Sequence, residues 1–412
     1  MIVQRVEKHI IKKNNYYYKM FDDYCFKSKN LYNHANYIVR NEFIKTNKWI
    51  RYNDLDKLLK SDIKYDDYKQ MPTAQSAQQI LKVLDENWKS FFVSIKDWSK
   101  NKDKYLGKPK LPNYKPKNGR FMLVLTNQNV KLKNNSELKF PKCFNGFTIK
   151  PVFVNKDNFT SFQQVRIIPN KNQFVIELVY NITIQDKKKC DNCRYISIDI
   201  GLDNLATITN NVGLQPVIIN GKGLKSINKY YNKQMSHYRR IAKRMNVLDC
   251  TNRMDKTTKR RNNKINDYMH KASKFVIDYV LENNINTIII GNNKNWKQKS
   301  EMSKKVNQSF IGIPHQKFIE MICYKAETAG VNVIISEESY TSGTSFLDGE
   351  EPIKANYNKS RRVHRGLFIS DNGIKINADV NGSLQIMKKV FPNVFSNGIE
   401  DVVLHPIRVN VT

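Results

Sequence analysis

Three short runs rich in β-branched residues constrain this chain more than anything else in it: YISIDI (195–200), TIIIG (287–291) and VNVIIS (331–336). Runs of five or six apolar residues are strand-length and need cover on both faces of a sheet. Helical stretches separate them, so residues 185–412 are expected to form an α/β layer. The first half reads differently. IVQRVEKHII has the mixed alternation of a short strand and stops at the polar stretch Lys12–Asn15. Cys25, Leu31, Ile38 and Val39 fit one face of a helix. Ile80, Leu84, Trp88, Phe91 and Ile95 fit a second one, which Pro72 and Thr73 are placed to start. From Phe121 to Ile184 the character is β: FMLVLT, FTIKPVFV, FQQVRIIP and FVIELVYNITI are short strands between polar turns. The expected fold class is α/β with β-barrel and helical parts: a helical domain (17–116) inserted into a small barrel (1–16 and 117–184), followed by the α/β domain (185–412).

Charge narrows the function. Seventy Lys and Arg against 37 Asp and Glu leave a formal charge of +33, which repels itself in a compact fold unless a polyanion is bound, and nucleic acid is the obvious one. Six cysteines at irregular spacing in 412 residues exclude a secreted disulfide scaffold. The N-terminal residues mix charges into their apolar positions, unlike a signal peptide, and no apolar run approaches the roughly 18–20 residues of a membrane span. A soluble, intracellular protein is expected.

Two basic segments are candidate phosphate tracks. Residues 101–120 carry seven basic side chains, one acid and three prolines, with Lys108, Lys110, Lys115 and Lys117 along the extended part. Residues 222–264 carry fourteen basic side chains against Asp249 and Asp255, including Arg239, Arg240, Lys243, Arg244, Arg260 and Arg261, with Tyr230, Tyr231, His237 and Tyr238 interleaved. At the start of the second helix Thr73, Gln75, Gln78 and Gln79 offer polar groups, and the Gln amides can pair bidentately with adenine edges.

Acids that could do chemistry lie in the second half. Asp199 ends an apolar strand and is followed by Gly201, where α/β sheets place ligand-facing groups. Asp379 opens a helix expected to run to about Val390, and a helix N-terminus favours an ionised carboxylate. Glu337 and Glu338 end the strand VNVIIS. Carboxylates brought together from strand ends and a helix start can hold two Mg²⁺ ions about 4 Å apart, as in-line phosphodiester cleavage needs. Spacing alone does not separate this from ordinary capping acids.

The surroundings of these acids carry a resemblance. IDIGLDNLATIT (198–209) resembles the first RuvC motif of the TnpB family, transposon-encoded RNA-guided DNA nucleases related to the type V CRISPR effectors, with Asp199 in the metal-binding place. INADVNGS (376–383) resembles the third motif, with Asp379 as its last acid. RRNNKINDYMHKASKFVIDY (260–279) resembles the helix before the second motif, and LYNHANYIVR with LDENWKSFF resembles the N-terminal helical region. The resemblance implies an RNase H-like RuvC nuclease domain, a barrel acting as wedge domain and a helical recognition domain. It implies a DNA endonuclease with two Mg²⁺ ions, a guide RNA from the transposon end and a double-stranded DNA target cut beside a short transposon-adjacent motif. No obligate protein partner and no membrane are implied, and the setting is a prokaryotic cytoplasm, with the nucleoid.

Two departures qualify it. Where the family's second motif ends its strand in Glu, this chain has Gly291. Segment 343–378, where the family's zinc ribbon belongs, contains no cysteine, and the sole CxxC, Cys190 and Cys193, has no second pair, so no zinc is expected. The missing Glu leaves two readings. Either the chain is a nuclease-inactive, RNA-guided DNA-binding repressor, or the acid has moved. In a parallel sheet VNVIIS should lie beside TIIIG, and some family members resemble this chain in pairing a Gly there with acids before SYTS. Strand alternation favours Glu338 over Glu337, and both remain candidates. A strand-transferring transposase is disfavoured, because the seven histidines are scattered.

Overall fold

The computed structural model describes the chain apart from residues 63–65, 134–135, 156, 185–190, 248–249, 294–303, 365, 396–403 and 412. The chain divides into two compact units, Met1–Gln185 and Asp186–Thr412.

The first unit begins with β1 (Ile2–Lys12), followed by helices α1 (Tyr18–Thr46), α2 (Tyr52–Ser61) and α3 (Ala74–Lys100). The strands β2 (Leu123–Thr126), β3 (Lys131–Lys133), β4 (Glu137–Lys139), β5 (Thr148–Ile149), β6 (Phe159–Asn170) and β7 (Gln173–Thr183) complete it. The N-terminal strand joins the others as expected: β1 pairs antiparallel with β7 from Ile2↔Thr183 to Lys12↔Gln173. Instead of one closed ring, the described strands form a four-stranded sheet, β1-β7-β6-β2, and a separate three-stranded sheet, β3-β4-β5. Helices and strands bury into a single cluster, in which Phe21, Cys25, Leu31, Ile80, Leu84 and Trp88 meet Leu125, Phe144, Phe174 and Ile176. The helical segment therefore shares its core with the strands that flank it in sequence.

Thr73 starts α3 as the sequence suggests. Its hydroxyl accepts from Ser76 N at 3.1 Å and the Ser76 hydroxyl accepts from Thr73 N at 3.2 Å, a reciprocal cap for two otherwise orphaned donors. The proline-rich segment 108–117 lies as an extended strap along α1. Proline lacks an N–H, so this stretch cannot pair as a full strand, and its carbonyls take side-chain donors instead. Asn36 Nδ2 and Arg40 Nη1 reach Pro112 O at 2.9 and 3.1 Å, Asn33 Nδ2 reaches Lys115 O at 2.9 Å, and Lys29 Nζ reaches Lys117 O at 2.8 Å. Positions 29, 33, 36 and 40 are one helical face.

In the second unit a meander of β8 (Tyr195–Asp199), β9 (Asn204–Asn210) and β10 (Val217–Asn220) leads into a long helical pair, α4 (Lys222–Arg244) and α5 (Asn252–Glu282). Then come β11 (Thr287–Gly291), α6 (Lys304–Ile311), α7 (His315–Ala329) and β12 (Asn332–Ser336). A small hairpin, β13 (Leu367–Ile369) and β14 (Lys375–Asn377), precedes α8 (Ala378–Val390), and β15 (Ile407–Val409) follows it. The sheet order is β12-β11-β8-β9-β10-β15, antiparallel across β8, β9 and β10, with β11 parallel to β8 and β12 parallel to β11. That is the RNase H-like arrangement. One face carries Ile196, Ile198, Ile288 and Ile290 against α5 and α7. The other packs on α8 through Tyr195, Ile289, Ile386 and Met387 and through a buried polar seam, with Ser197 Oγ donating to Ser383 O at 2.6 Å.

The cysteine-free segment 343–378 is held without thiolates. Arg361 bridges Glu350 at 2.7 Å and Asp371 at 2.6 Å, and Asn381 on α8 donates to Thr344 O at 2.8 Å and accepts from Phe346 N at 2.9 Å. Phe346 and Phe368 supply its apolar core with Val380 and Leu384.

Trp88 is fully buried, and its indole N–H reaches Asn36 Oδ1 at 3.2 Å. Trp88→Ala leaves a large cavity and an unpaired amide oxygen, and should cost about 3–5 kcal/mol in urea unfolding of the first unit, followed by circular dichroism.

Candidate active site

Parallel pairing decides what lies beside Gly291. β11 and β12 run in register from Thr287↔Asn332 to Gly291↔Ser336, and Asn292 N donates to Ser336 O at 2.9 Å. The acids one and two residues beyond Ser336 thus leave the sheet at the end where β8 delivers Asp199. A tight turn fixes them: the Thr341 hydroxyl donates to Glu338 O at 2.8 Å, and Lys389 of α8 holds Ser339 O at 3.2 Å. Glu338 turns inward, while Glu337 is exposed and accepts from the Ser339 hydroxyl at 2.8 Å. A methyl group built on Gly291 would lie 2.8 Å from Glu338 Oε2 and 2.5 Å from Ile386 Cδ1. The Glu338 carboxylate therefore fills the place that a side chain at 291 would take.

Asp199, Glu338 and Asp379 line one cavity of about 620 Å³. Gly382 of α8 lets that helix approach, since a methyl there would meet Asp199 Oδ2 at 3.0 Å. Asp379 occupies the first turn of α8, whose cap is Asn377, with Asn377 Oδ1 accepting from Asp379 N at 3.0 Å. Its two oxygens are engaged separately: Arg362 Nη2 donates to Oδ1 at 2.9 Å and Asn204 Nδ2 donates to Oδ2 at 2.7 Å. Burial, then repulsion from Glu338 and Asp379, pushes the Asp199 carboxyl well above the usual carboxylate range, with Arg362 opposing. Burial likewise pushes Glu338 up to about 7, against a backbone N–H from Asn293.

Such carboxylate oxygens are hard donors of the kind that suit Mg²⁺. Among the described residues no group of three or more His, Cys, Asp or Glu side chains is gathered closely enough to hold a metal ion as they stand, and Arg362 occupies one oxygen of Asp379.

The structure adds residues that the sequence did not single out. Lys222, Arg362, His364 and Arg408 line the cavity with the acids, as does Asn204. Of these, Asn204 lies inside a motif that had drawn attention, and Lys222 opens the basic segment 222–264.

The expected nucleic-acid contacts separate into two groups. Arg239, Arg240, Lys243 and Arg244 on α4 and Arg260 on α5 are exposed, as are Lys108, Lys110 and Lys117. The others are engaged by the fold. Lys115 sits 4.7 Å from the ring centroids of Tyr32 and Phe121, and burial lowers its pKa. Arg261 donates to Asn228 Oδ1 at 2.8 Å and to Gly312 O, tying α5 to α4 and to the turn after α6. Thr73 caps α3, and Gln75 accepts from the Thr126 hydroxyl at 2.9 Å and donates to Gln128. Gln78 hydrogen-bonds the Tyr68 hydroxyl, and Gln79 is half-buried on the same turn. Cys193 is exposed in a left-handed turn (φ 56°), and Cys190 lies outside the described residues.

Known proteins match this chain over several stretches. A family model described as a probable transposase of the OrfB type matches residues 178–297, and one described as the Cas12f1-like TNB domain matches 315–386. The TnpB-like protein ORF457 of Acidianus two-tailed virus is 24% identical over 398 residues, spanning 88% of this chain and 81% of that protein. The sequence matches make the chain similar to the TnpB family. That family comprises transposon-associated RNA-guided nucleases. A Cas12f1–sgRNA–target DNA complex is similar at a TM-score of 0.36 and 15% identity, over 93% of this chain and 98% of that one. A CRISPR–Cas12f ternary complex also has a TM-score of 0.36 and 15% identity, over 89% and 80%. At those scores the identification rests on the sequence matches.

The raised pKa of Glu338 has a thermodynamic signature in the metal-free protein. The unfolded chain releases this proton near the ordinary value of 4.5 and the folded chain near 7, so stability is greatest below 4.5 and falls as the pH rises through that window. Glu338→Gln should therefore melt higher than the unaltered protein at pH 8 in EDTA, by on the order of 2 kcal/mol, with the difference shrinking toward pH 5. Thermal melts across that range measure it.

Proposed function

We propose that this chain is an active RNA-guided DNA endonuclease in which Glu338 replaces the acid missing at Gly291. The observation that carries the reading is the Glu338 carboxylate lying where a side chain at 291 would be, in one cavity with Asp199 and Asp379. A nuclease-inactive repressor would have no need to return a buried carboxylate to this place at a cost in stability.

Asp199, Glu338 and Asp379 act as holders. They would hold Mg²⁺, whose chemistry there would be to activate a water and to stabilise the leaving oxygen of an in-line cleavage. Asn204 and Arg362 keep Asp379 in its rotamer, and Lys222, His364 and Arg408 line the cavity with groups suited to the phosphates of the strand being cut. The partners are a guide RNA from the transposon end and double-stranded DNA flanked by a short motif. Base pairing supplies the sequence specificity. Thr73 and Gln75 are spent on the start of α3, which weakens the reading of this helix as an adenine reader.

Asp199→Ala and Glu338→Ala should abolish Mg²⁺-dependent cleavage of guide-matched DNA while guided binding survives, and Glu337→Ala should stay within about twofold of the unaltered rate. Gly291→Ala, which pushes against Glu338 and Ile386, should lose about a hundredfold through misplacement alone. A protein that binds guided DNA and never cuts, or a Glu338→Ala variant cutting at full rate, would sink the relocation.

Binding strength should reside in exposed charge. Reversing Arg239, Arg240, Lys243 and Arg244 together should weaken binding for every guide alike and flatten the plot of log affinity against log salt by about 3–4. Filter binding at several salt concentrations reads both effects.

A further inference from the structure

We infer that the C-terminal strand is a working part of the metal centre, with Arg408 as a positioning residue that acts on Asp379 through Asn204; this rests on the carboxylate-centre reading above. Neither matched family region reaches β15, since the second ends at residue 386. The strand nonetheless extends the catalytic sheet. β15 runs parallel to β10 with Ile218↔Arg408, Ile407 N donates to Pro216 O at 2.8 Å, and Asn220 Nδ2 donates to Asn410 Oδ1 at 2.8 Å. That docking places Arg408 in the lining of the cavity.

The chain of contacts has a direction. Arg408 Nη1 donates to Asn204 Oδ1 at 2.9 Å, and Asn204 Nδ2 donates to Asp379 Oδ2 at 2.7 Å. A guanidinium can only donate and a carboxylate can only accept, so the amide between them has one orientation that satisfies both. Asn204 is 7% exposed, which leaves its amide little water to fall back on. Without Arg408 the amide is free to turn its oxygen toward Asp379, where it repels the carboxylate instead of holding it. Arg362 grips only the other oxygen, Oδ1, and cannot correct the error. Asp379 is then less often in the rotamer that faces Asp199. The register shift at Ile219/Asn220, opposite Asn204, marks the point where the meander bends to bring this residue to the cavity.

The test is binding of Mn²⁺ to the full-length protein without RNA, which would itself bind the ion, followed by calorimetry and electron paramagnetic resonance. Asp199→Ala defines the signal from the centre. Arg408→Gln should weaken that signal five- to tenfold with an unchanged melting temperature. Arg408→Lys, which keeps a cationic donor on the strand, should retain most of the affinity. Asn204→Ala should weaken binding to a similar degree, and the double variant Arg408→Gln/Asn204→Ala should be no weaker than Asn204→Ala alone, because both act along one path. Affinity within twofold of the unaltered protein in Arg408→Gln overturns the inference. So do equal losses in the Lys and Gln variants, or additive losses in the double variant. If Asp199→Ala removes no bound Mn²⁺, the carboxylate-centre reading falls and takes this inference with it. A normal Asp199-dependent signal indifferent to Arg408 overturns the inference alone.

Discussion

Three carboxylates at one end of a buried sheet repel one another, and much of the second unit is arranged around that repulsion. Asp199 shows it most directly, held well above the ordinary carboxylate range by burial and by two acidic neighbours. The fold tolerates the cost because counter-charge is supplied from several elements: Arg362 from the segment before β13, Arg408 from the last strand, and the Asn204 amide dipole between them. Small residues do the rest. Gly291 and Gly382 remove the side chains that would keep Glu338 and α8 at a distance. Polar cost at a cavity that suits cations is a common sign of a site shaped for work rather than for stability.

The parts legible in the sequence were those set by local rules. Strand runs, the helix start at Thr73 and the positions of Asp199 and Asp379 follow from periodicity and capping, and the adjacency of β11 and β12 follows from parallel topology. Topology also narrowed the candidate acids to two neighbours, of which Glu338 is the one turned into the cavity. What stayed hidden depends on residues far apart in the chain. Nothing near Arg362 or Arg408 announces a partner at Asp379 or Asn204. Lys115 and Arg261 look like their exposed basic neighbours until Tyr32, Phe121 and Asn228 are brought against them. The glutamines of α3 likewise find partners at Thr126, Gln128 and Tyr68, across tens of residues.

Segment 343–378 shows how a stretch poor in regular structure can be held by a few side chains. Arg361, forked between Glu350 and Asp371, ties two loops at one point, and Asn381 stitches the same segment to α8. A guanidinium with fixed donor directions does some of what a tetrahedral ion does, at lower strength and without requiring thiolates. Phe346 and Phe368 give it a small core of its own to brace against.

Gly291 also bears on how this site could be redesigned. A side chain at 291 and the inward carboxylate of Glu338 compete for neighbouring space, with Ile386 closing the gap. Both contacts are the far ends of side chains, so an added residue at 291 asks Glu338 and Ile386 to turn aside together. Position 291, the turn after β12 and the inner face of α8 are therefore a single packing unit, and an engineer who alters one of the three has to treat the other two in the same step.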